Sequence, residues 1–362
     1  VRREDFDALD GLDANAPPPA PGEVLHKTNG KPVAPAFVLT GIDLMLNEPE
    51  DLTRWVVEDR IPAGSVCLLV AKPKVGKTTA ARHLAVSIIR GDDWLGSQCE
   101  LGVVWYIALE GRKADHLSHF RQFHLTEEEG KRLQMYIGPA KPGLMKAMMQ
   151  MAGEQKPALI IVDTLQRLLQ VKSMDDYAEV TKAFDPVIQC ARESGAALLL
   201  IHHAGKATDR DPLDSVLGST AISGSVDNTL ILTKLRGFRT LTTRQRIGPD
   251  LEERVIRLTD DGRVLLGDMR EQAEMRAVMD TLYKALANAP EVRLTSSQWL
   301  ELVEGRKQTL LRGIRQLVTE GTISCVGSGT KHSPYVYSVP AVPVVPSGSH
   351  EVLEPNQDQI VF

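Results

Sequence analysis

The residues best suited to chemistry form one run, Ala71-Lys72-Pro73-Lys74-Val75-Gly76-Lys77-Thr78-Thr79. It follows an apolar segment, SVCLLV, and precedes a helical pattern, TAARHLAVSIIRG. A tight turn between a buried strand and a helix start is a phosphate cradle. Its backbone N–H groups converge, and the helix terminus favours an anion. Lys74, Val75, Gly76, Lys77, Thr78 and Thr79 would line it. Gly76 lets the backbone approach closely, Lys77 brings a mobile charge to the β- and γ-phosphates, and the Thr78 hydroxyl can ligate magnesium. The pattern GxxxxGK[ST] is met except at its first position, where Ala71 replaces glycine.

Three further apolar runs end in groups that would complete such a site. LIIVDT ends in Asp163, a carboxylate that can hold magnesium, usually through water. VVWYIALE ends in Glu110, 33 residues after Lys77, where a carboxylate can orient or deprotonate an attacking water. ALLLI ends in His202-His203, either of which can hydrogen-bond a γ-phosphate. No other His or Cys stands at a spacing that would make this pair a metal site. Singly, a strand-ending Asp or a loop Glu is commonplace; the combination carries the signal.

The elements that must position these groups are legible as a pattern. Apolar runs at 66–70, 103–109, 159–162, 197–201 and 229–232 alternate with helical stretches. Such alternation indicates an α/β fold with a mostly parallel sheet covered on both faces. Runs at 239–246 and 253–258 alternate in polarity and suit antiparallel additions. Residues 1–36 and 341–362 are rich in Pro and small or polar residues and are expected to be loose tails. Between them, 37–268 reads as one domain and 269–340 as a second.

Composition sets the boundaries. The 362 residues are 43% hydrophobic and 25% charged, an ordinary soluble balance. No apolar run approaches the ~18 residues of a membrane span, and the first residues lack a secretory stretch. Cys67, Cys99, Cys190 and Cys325 are scattered, so neither disulfides nor zinc is expected, and a cytoplasmic location fits. A net charge of −5, from 42 basic and 47 acidic residues, excludes a globally basic nucleic-acid binder but not a local basic surface.

The second block supplies such a surface. Three helical patterns and two β-like runs give the order of a winged helix-turn-helix. The third helix places Gln308, Arg312, Arg315 and Thr319 opposite its apolar stripe. From 305 to 335 there are five basic residues, Lys307 and Lys331 among them, against Glu320 alone. Arg and Gln suit base edges and phosphates, so Lys307, Gln308, Arg312, Arg315 and Lys331 are candidate DNA contacts, with Lys331 and His332 at the wing tip. The plain alternative is a module for protein contact.

Taken together, PKVGKTT, ALE, LIIVDTL, LLLIHHAGK and the segment Gly218-Ser219-Thr220-Ala221-Ile222 with Asp227 resemble the core of plasmid RepA-type replicative helicases and related mobile-element ATPases. The entry segment WVVEDRIPAGSVCLLV matches as well, and the resemblance covers about residues 38 to 260. It implies a RecA-like ATPase assembled as a homo-oligomeric ring, a hexamer, using ATP and Mg2+. Lys77 and Thr78 would sit at the nucleotide, Glu110 at the catalytic-base position, Asp163 at the magnesium position, and His202 or His203 at the sensor position. Arg244-Gln245-Arg246-Ile247-Gly248-Pro249 is similar to the Lys-x-Arg-x-Gly-Pro segment of bacterial ring helicases, with Arg in place of Lys at 244. The resemblance makes Arg246 an arginine finger on the neighbouring subunit's ATP. Arg236 and Arg239 are rivals, and two exposed strand arginines are the plain alternative. Lys72 stands where partition-type ATPases carry a signature lysine, but Pro73 and Lys74 replace the small glycines those loops need.

The reading that follows is a DNA-dependent ATP-hydrolysing motor. Single-stranded DNA would pass through a ring, and duplex DNA could meet the winged helix. The polar segment 205–216 is a candidate DNA loop. Two alternatives belong to other classes: an ATP-switched DNA-binding regulator without unwinding, and a RecA-like recombination or signalling ATPase.

Overall fold

Strand β5 (Val66–Ala71) is buried at every position. So are β6 (Val104–Ala108) and β8 (Leu159–Asp163), and β9 (Ala197–His203) exposes only its last residue. Strands this apolar must be covered on both faces, and the computed structural model shows how. It describes residues 27–28, 31–32, 39–47, 53–174, 176–204, 220–235, 237–289 and 293–340. The chain divides into two units, Val1–Leu52 and Thr53–Phe362. In the first, β1 (Lys27–Thr28) and β2 (Lys31–Pro32) pair antiparallel, and α1 spans Ile42–Met45.

The second unit is built on a nine-stranded sheet. It adds β7 (Leu133–Ile137), β10 (Asn228–Lys234), β11 (Arg239–Gln245), β12 (Arg254–Leu258) and β13 (Val264–Met269) to the strands above. The order is β13-β12-β11-β10-β5-β9-β8-β6-β7. The six strands from β10 to β7 are parallel, and β11 to β13 are antiparallel extensions. The expected α/β fold with a mostly parallel sheet is therefore the observed one. A hairpin of β3 (Trp55–Val57) and β4 (Ile61–Pro62) precedes β5.

Period-2 alternation sends odd and even residues to different cores. Cys67, Leu69, Ala71, Tyr106, Ala108, Leu159, Ile161, Leu199 and Ile201 pack with α2 (Lys77–Arg90). Leu68, Val70, Ile107, Ile160, Val162, Leu198 and Leu200 pack on the other face, where α5 (Leu144–Gln155) and α7 (Tyr177–Ser194) lie. On the α2 side, α3 (Lys113–Arg121) contributes Phe120, and α4 (Glu127–Arg132) starts with a Thr126/Glu129 capping box. Two short helices, α6 (Leu165–Leu169) and α8 (Thr220–Ser225), follow β8 and precede β10.

Beyond β13 the chain enters α9 (Arg270–Ala287), β14 (Leu294–Thr295), α10 (Ser296–Glu301), α11 (Lys307–Thr319), β15 (Ser324–Val326) and β16 (Val336–Ser338). The three strands form an antiparallel sheet ordered β14-β16-β15. The sequence pattern supplied three helices and a hairpin; β14, two residues long, went unread. A separate core of Leu282, Leu286, Trp299, Leu310, Ile314, Leu317 and Tyr337 holds these elements together. Trp299 is fully buried, and its indole N–H donates to Leu282 O at 2.9 Å.

Candidate nucleotide-binding site

The phosphate turn occupies residues 72–76 between β5 and α2. Ala71 is the last residue of β5 and takes no left-handed conformation. That accounts for alanine where the GxxxxGK pattern has glycine. The left-handed positions are instead Lys74 (φ 63°) and Gly76 (φ 117°). The φ of Gly76 favours glycine, and a Cβ there would lie 2.7 Å from Leu258 Cδ1 of β12, so that side chain would have to shift. Lys77 is buried, and its Nζ donates to Ala71 O (2.7 Å) and Lys72 O (3.1 Å). Burial lowers its pKa to about 8, with Asp163 acting against the shift. The lysine is thus folded back on its own loop, held by neutral carbonyls. A phosphate would be the stronger partner.

Asp163 ends β8 directly beside this loop. Its Oδ2 accepts from the Thr78 hydroxyl (3.1 Å) and from buried Tyr106 (3.2 Å). Burial raises its pKa, while Thr78, Tyr106, Arg82 and His116 pull the other way. Thr78 and Asp163 are hard oxygen donors in contact, a set that suits Mg2+. No cluster of three or more His, Cys, Asp or Glu among the described residues forms a metal cage.

Glu110 lies two residues beyond β6 at the same sheet edge. Its Oε1 accepts from Arg167 Nε at 2.9 Å and from Thr164 Oγ1 at 3.4 Å. An open cleft of about 910 Å3 adjoins the carboxylate, lined in part by Gly111, Gln166 and Arg167.

The histidine pair, left open by the sequence, is separated by the pleat. His203 pairs in register with Ala71 and continues the face of Leu199 and Ile201, the phosphate-loop face. Its pKa is lowered by burial and by Lys77, with Glu110 and Asp163 opposing, so all three site groups act on it. His202 pairs with Val70 and continues the opposite face. It is buried, its Nδ1 has no hydrogen-bond partner among the described residues, and burial with nearby His203 and Lys77 lowers its pKa to about 4.

The rival arginines are separated by strand direction. β11 runs antiparallel to β10, with Arg239 opposite Lys234 and Gln245 opposite Asn228. Arg239 therefore lies at the phosphate-loop edge, and its Nε donates to Val75 O at 2.9 Å. Arg244 and Arg246 lie near the other edge, about 20 Å away at ~3.3 Å per residue. Both are exposed; Arg246 donates to Gly224 O (2.9 Å) and Arg244 to Asp250 (3.4 Å). Neither can reach the loop of its own chain. Their segment is braced by the β3–β4 hairpin: Arg60 donates to Pro249 O, and a Cβ on Gly248 would strike Trp55. Arg236, Gly218, Ser219 and the segment 205–216 lie outside the described residues.

On α11, Lys307, Gln308, Arg312 and Arg315 are all exposed, while Leu310, Gly313, Ile314 and Leu317 are buried. Arg312 also lines a cleft with Leu235 and Phe238, at the β10–β11 turn. Lys331 is exposed in the β15–β16 connection. Tyr106, Thr164, Arg167 and the in-chain position of Arg239 were not foreseen. Tyr106 alone had a signal, since it shares the pleat face of Glu110.

A phosphate turn, a Thr–Asp pair and a strand between them in a mostly parallel sheet are the arrangement of a P-loop nucleotide-binding domain. Residues 36–209 match the family described as an AAA domain. No curated protein matches the sequence. The crystal structure of the RadB recombinase is 18% identical with a TM-score of 0.41, over 57% of this chain and 91% of that one. A KaiC-like protein from the archaeon Pyrococcus horikoshii is 12% identical with a TM-score of 0.43, over 58% and 93%. Both are partial likenesses of backbone course.

Proposed function

We propose that this protein is an ATP-hydrolysing, DNA-dependent motor of the RepA-type helicase class, working as a homo-oligomeric ring. One observation carries the reading. Lys77, Thr78, Asp163, Glu110 and His203 converge at one sheet edge, whereas the exposed pair Arg244 and Arg246 stands about 20 Å away at the other. If either of that pair is the finger, it serves the site of a second copy; Arg239, whose Nε bonds Val75 O of its own loop, is the in-chain rival.

In this reading the P-loop amides and Lys77 bind the ATP phosphates. Thr78 and Asp163 hold Mg2+, which when bound neutralises charge on the phosphate oxygens. Glu110 accepts a proton from water as its oxygen bonds to the γ-phosphorus and the bond to the bridging oxygen breaks, releasing ADP and phosphate. His203 hydrogen-bonds the γ-phosphate, and the partner copy's arginine neutralises the charge that develops on it. The C-terminal elements follow the order helix, strand, helix, helix, hairpin, which supports a winged-helix reading, with Lys307, Gln308, Arg312, Arg315 and Lys331 toward DNA.

The test is steady-state ATP hydrolysis without DNA, with single strands and with duplex, for wild type and Lys77→Ala. Strong stimulation by single strands, abolished by Lys77→Ala, is the expected result. Stimulation absent, with binding confined to one duplex site, would replace the motor with an ATP-switched DNA-binding regulator.

A further inference from the structure

Glu110 is held more firmly than a loop carboxylate needs to be. Its backbone is tied on both sides: Leu109 N–H donates to Asp163 O at 2.7 Å, and Glu110 O accepts from buried His116 Nε2 at 2.9 Å. A carbonyl can only accept, so Nε2 is the donor in this contact. Gly111 makes room for this contact, since a Cβ there would lie 2.9 Å from His116 Nε2.

The side chain is tied as well, and unevenly. Arg167 Nε and Thr164 Oγ1 both donate to Oε1. Oε2 receives no hydrogen bond from any described residue. Both donors sit on the segment that leaves Asp163: Thr164 is the N-cap of α6, and Arg167 N–H bonds Thr164 O at 3.1 Å. The carboxylate is thereby referenced to the strand that carries the magnesium-binding aspartate. Both bonds from described residues thus fall on one oxygen of the carboxylate.

We propose that Arg167 is a positioning residue for Glu110: with Thr164 it holds Oε1 so that Oε2 is the oxygen presented to the attacking water. The inference rests on the ATPase reading above. Arg167 touches neither nucleotide nor water in this scheme; it acts through the orientation of one carboxylate. Because the contact is a single bond from Nε and not a two-pronged one, a lysine can supply much of the same hold.

The experiment uses the full chain, with Arg167→Ala, Arg167→Lys, Glu110→Gln, Lys77→Ala and the double variant Arg167→Ala/Glu110→Gln. Steady-state and single-turnover hydrolysis are measured alongside affinity for a fluorescent ATP analogue. Arg167→Ala is expected to lower kcat by about 5- to 20-fold with KM and analogue affinity changed less than about twofold, because a misaligned base slows chemistry without loosening the phosphates. Arg167→Lys should recover most of the loss. In the Glu110→Gln background, Arg167→Ala should cause no further fall. The proposal is overturned if Arg167→Ala matches or exceeds wild type, if KM rises in step with the loss, if lysine gives no recovery, or if the two losses multiply. If wild type hydrolyses no ATP, or Lys77→Ala and Glu110→Gln retain its rate, the ATPase reading itself falls and takes the clamp with it.

Discussion

The Thr78 hydroxyl donates to Oδ2 of Asp163 at 3.1 Å, joining two residues 85 positions apart in the chain. It ties the first turn of α2 to the end of β8. Thr78→Ala removes both this bond and an oxygen that suits magnesium. Affinity for a fluorescent ATP analogue should then lose most of its magnesium dependence, by tenfold or more, whereas Thr78→Ser should keep it. Equal magnesium dependence in Thr78→Ala and wild type would remove this pair from the metal site.

Lys77 has its pKa lowered to about 8 by burial, which outweighs the support of Asp163. A bound polyphosphate restores the preference for the charged form, so nucleotide binding takes up protons between about 8 and the ordinary lysine value. Calorimetric titration with Mg-ATP at pH 8.5, in buffers of different ionisation heat, should show uptake of roughly half a proton or more. At pH 7 the lysine is already charged and uptake should be small. A Lys77→Met variant should show none at either pH.

His83 on α2 accepts the Val264 N–H through Nδ1 at 3.2 Å, linking the P-loop helix to β13. It can do so only while neutral. Burial, with Arg263 assisting, lowers its pKa to about 4. The folded value lies below the unfolded one, near 6.5, so the unfolded chain binds the proton more readily. This contribution is therefore complete above pH 6.5 and is lost as pH falls toward 4. Urea midpoints should decline over that window, and His83→Gln should flatten the decline. An unchanged pH slope in His83→Gln would dismiss the histidine as its source.

Two helical glycines should respond oppositely to alanine. A Cβ on Gly313 in α11 would lie 2.9 Å from Leu282 Cδ1 and 3.1 Å from Val278 Cγ1 of α9. Leu282 is fully buried and has nowhere to retreat. Overpacking costs about 1–3 kcal/mol, which exceeds the ~1 kcal/mol of helix propensity gained, so Gly313→Ala should destabilise. Gly153 in α5 has nothing within 4 Å of its Cβ position. There the propensity acts alone, and Gly153→Ala should stabilise by about 0.4–1 kcal/mol. Denaturant unfolding of both variants reads the contrast directly.

If Arg246 serves a neighbouring copy, Lys77→Ala and Arg246→Ala chains should each be inactive alone yet partly active when mixed. The mixed assembly contains interfaces with an intact loop from one chain and an intact arginine from the other. Mixtures with no recovered hydrolysis would count against a finger supplied between copies.

The sequence alone determined the local chemistry. Residues 72–79 are contiguous, and the apolar runs around them can only be covered strands, so the α/β fold and the strand-end positions of Glu110, Asp163 and the histidines were legible. β7, β13 and β14 escaped because short or half-buried strands lack a continuous apolar signal. Alanine at 71 looked like a flaw, and backbone conformation removed it: the left-handed residues of this turn are Lys74 and Gly76.

Tertiary structure decided what depends on direction and pairing. Which histidine shares the loop's face follows from the register of Ala71 with His203. Which arginine shares its edge follows from the antiparallel course of β11. Arg167 carries no signal of its own, since its partner Glu110 is 57 residues away in the chain. A residue's type and spacing declare what chemistry it can do. The face, edge and partner it meets are set by hydrogen-bonded strand pairs distant in sequence, and one step of register moves a side chain to the opposite side of the sheet.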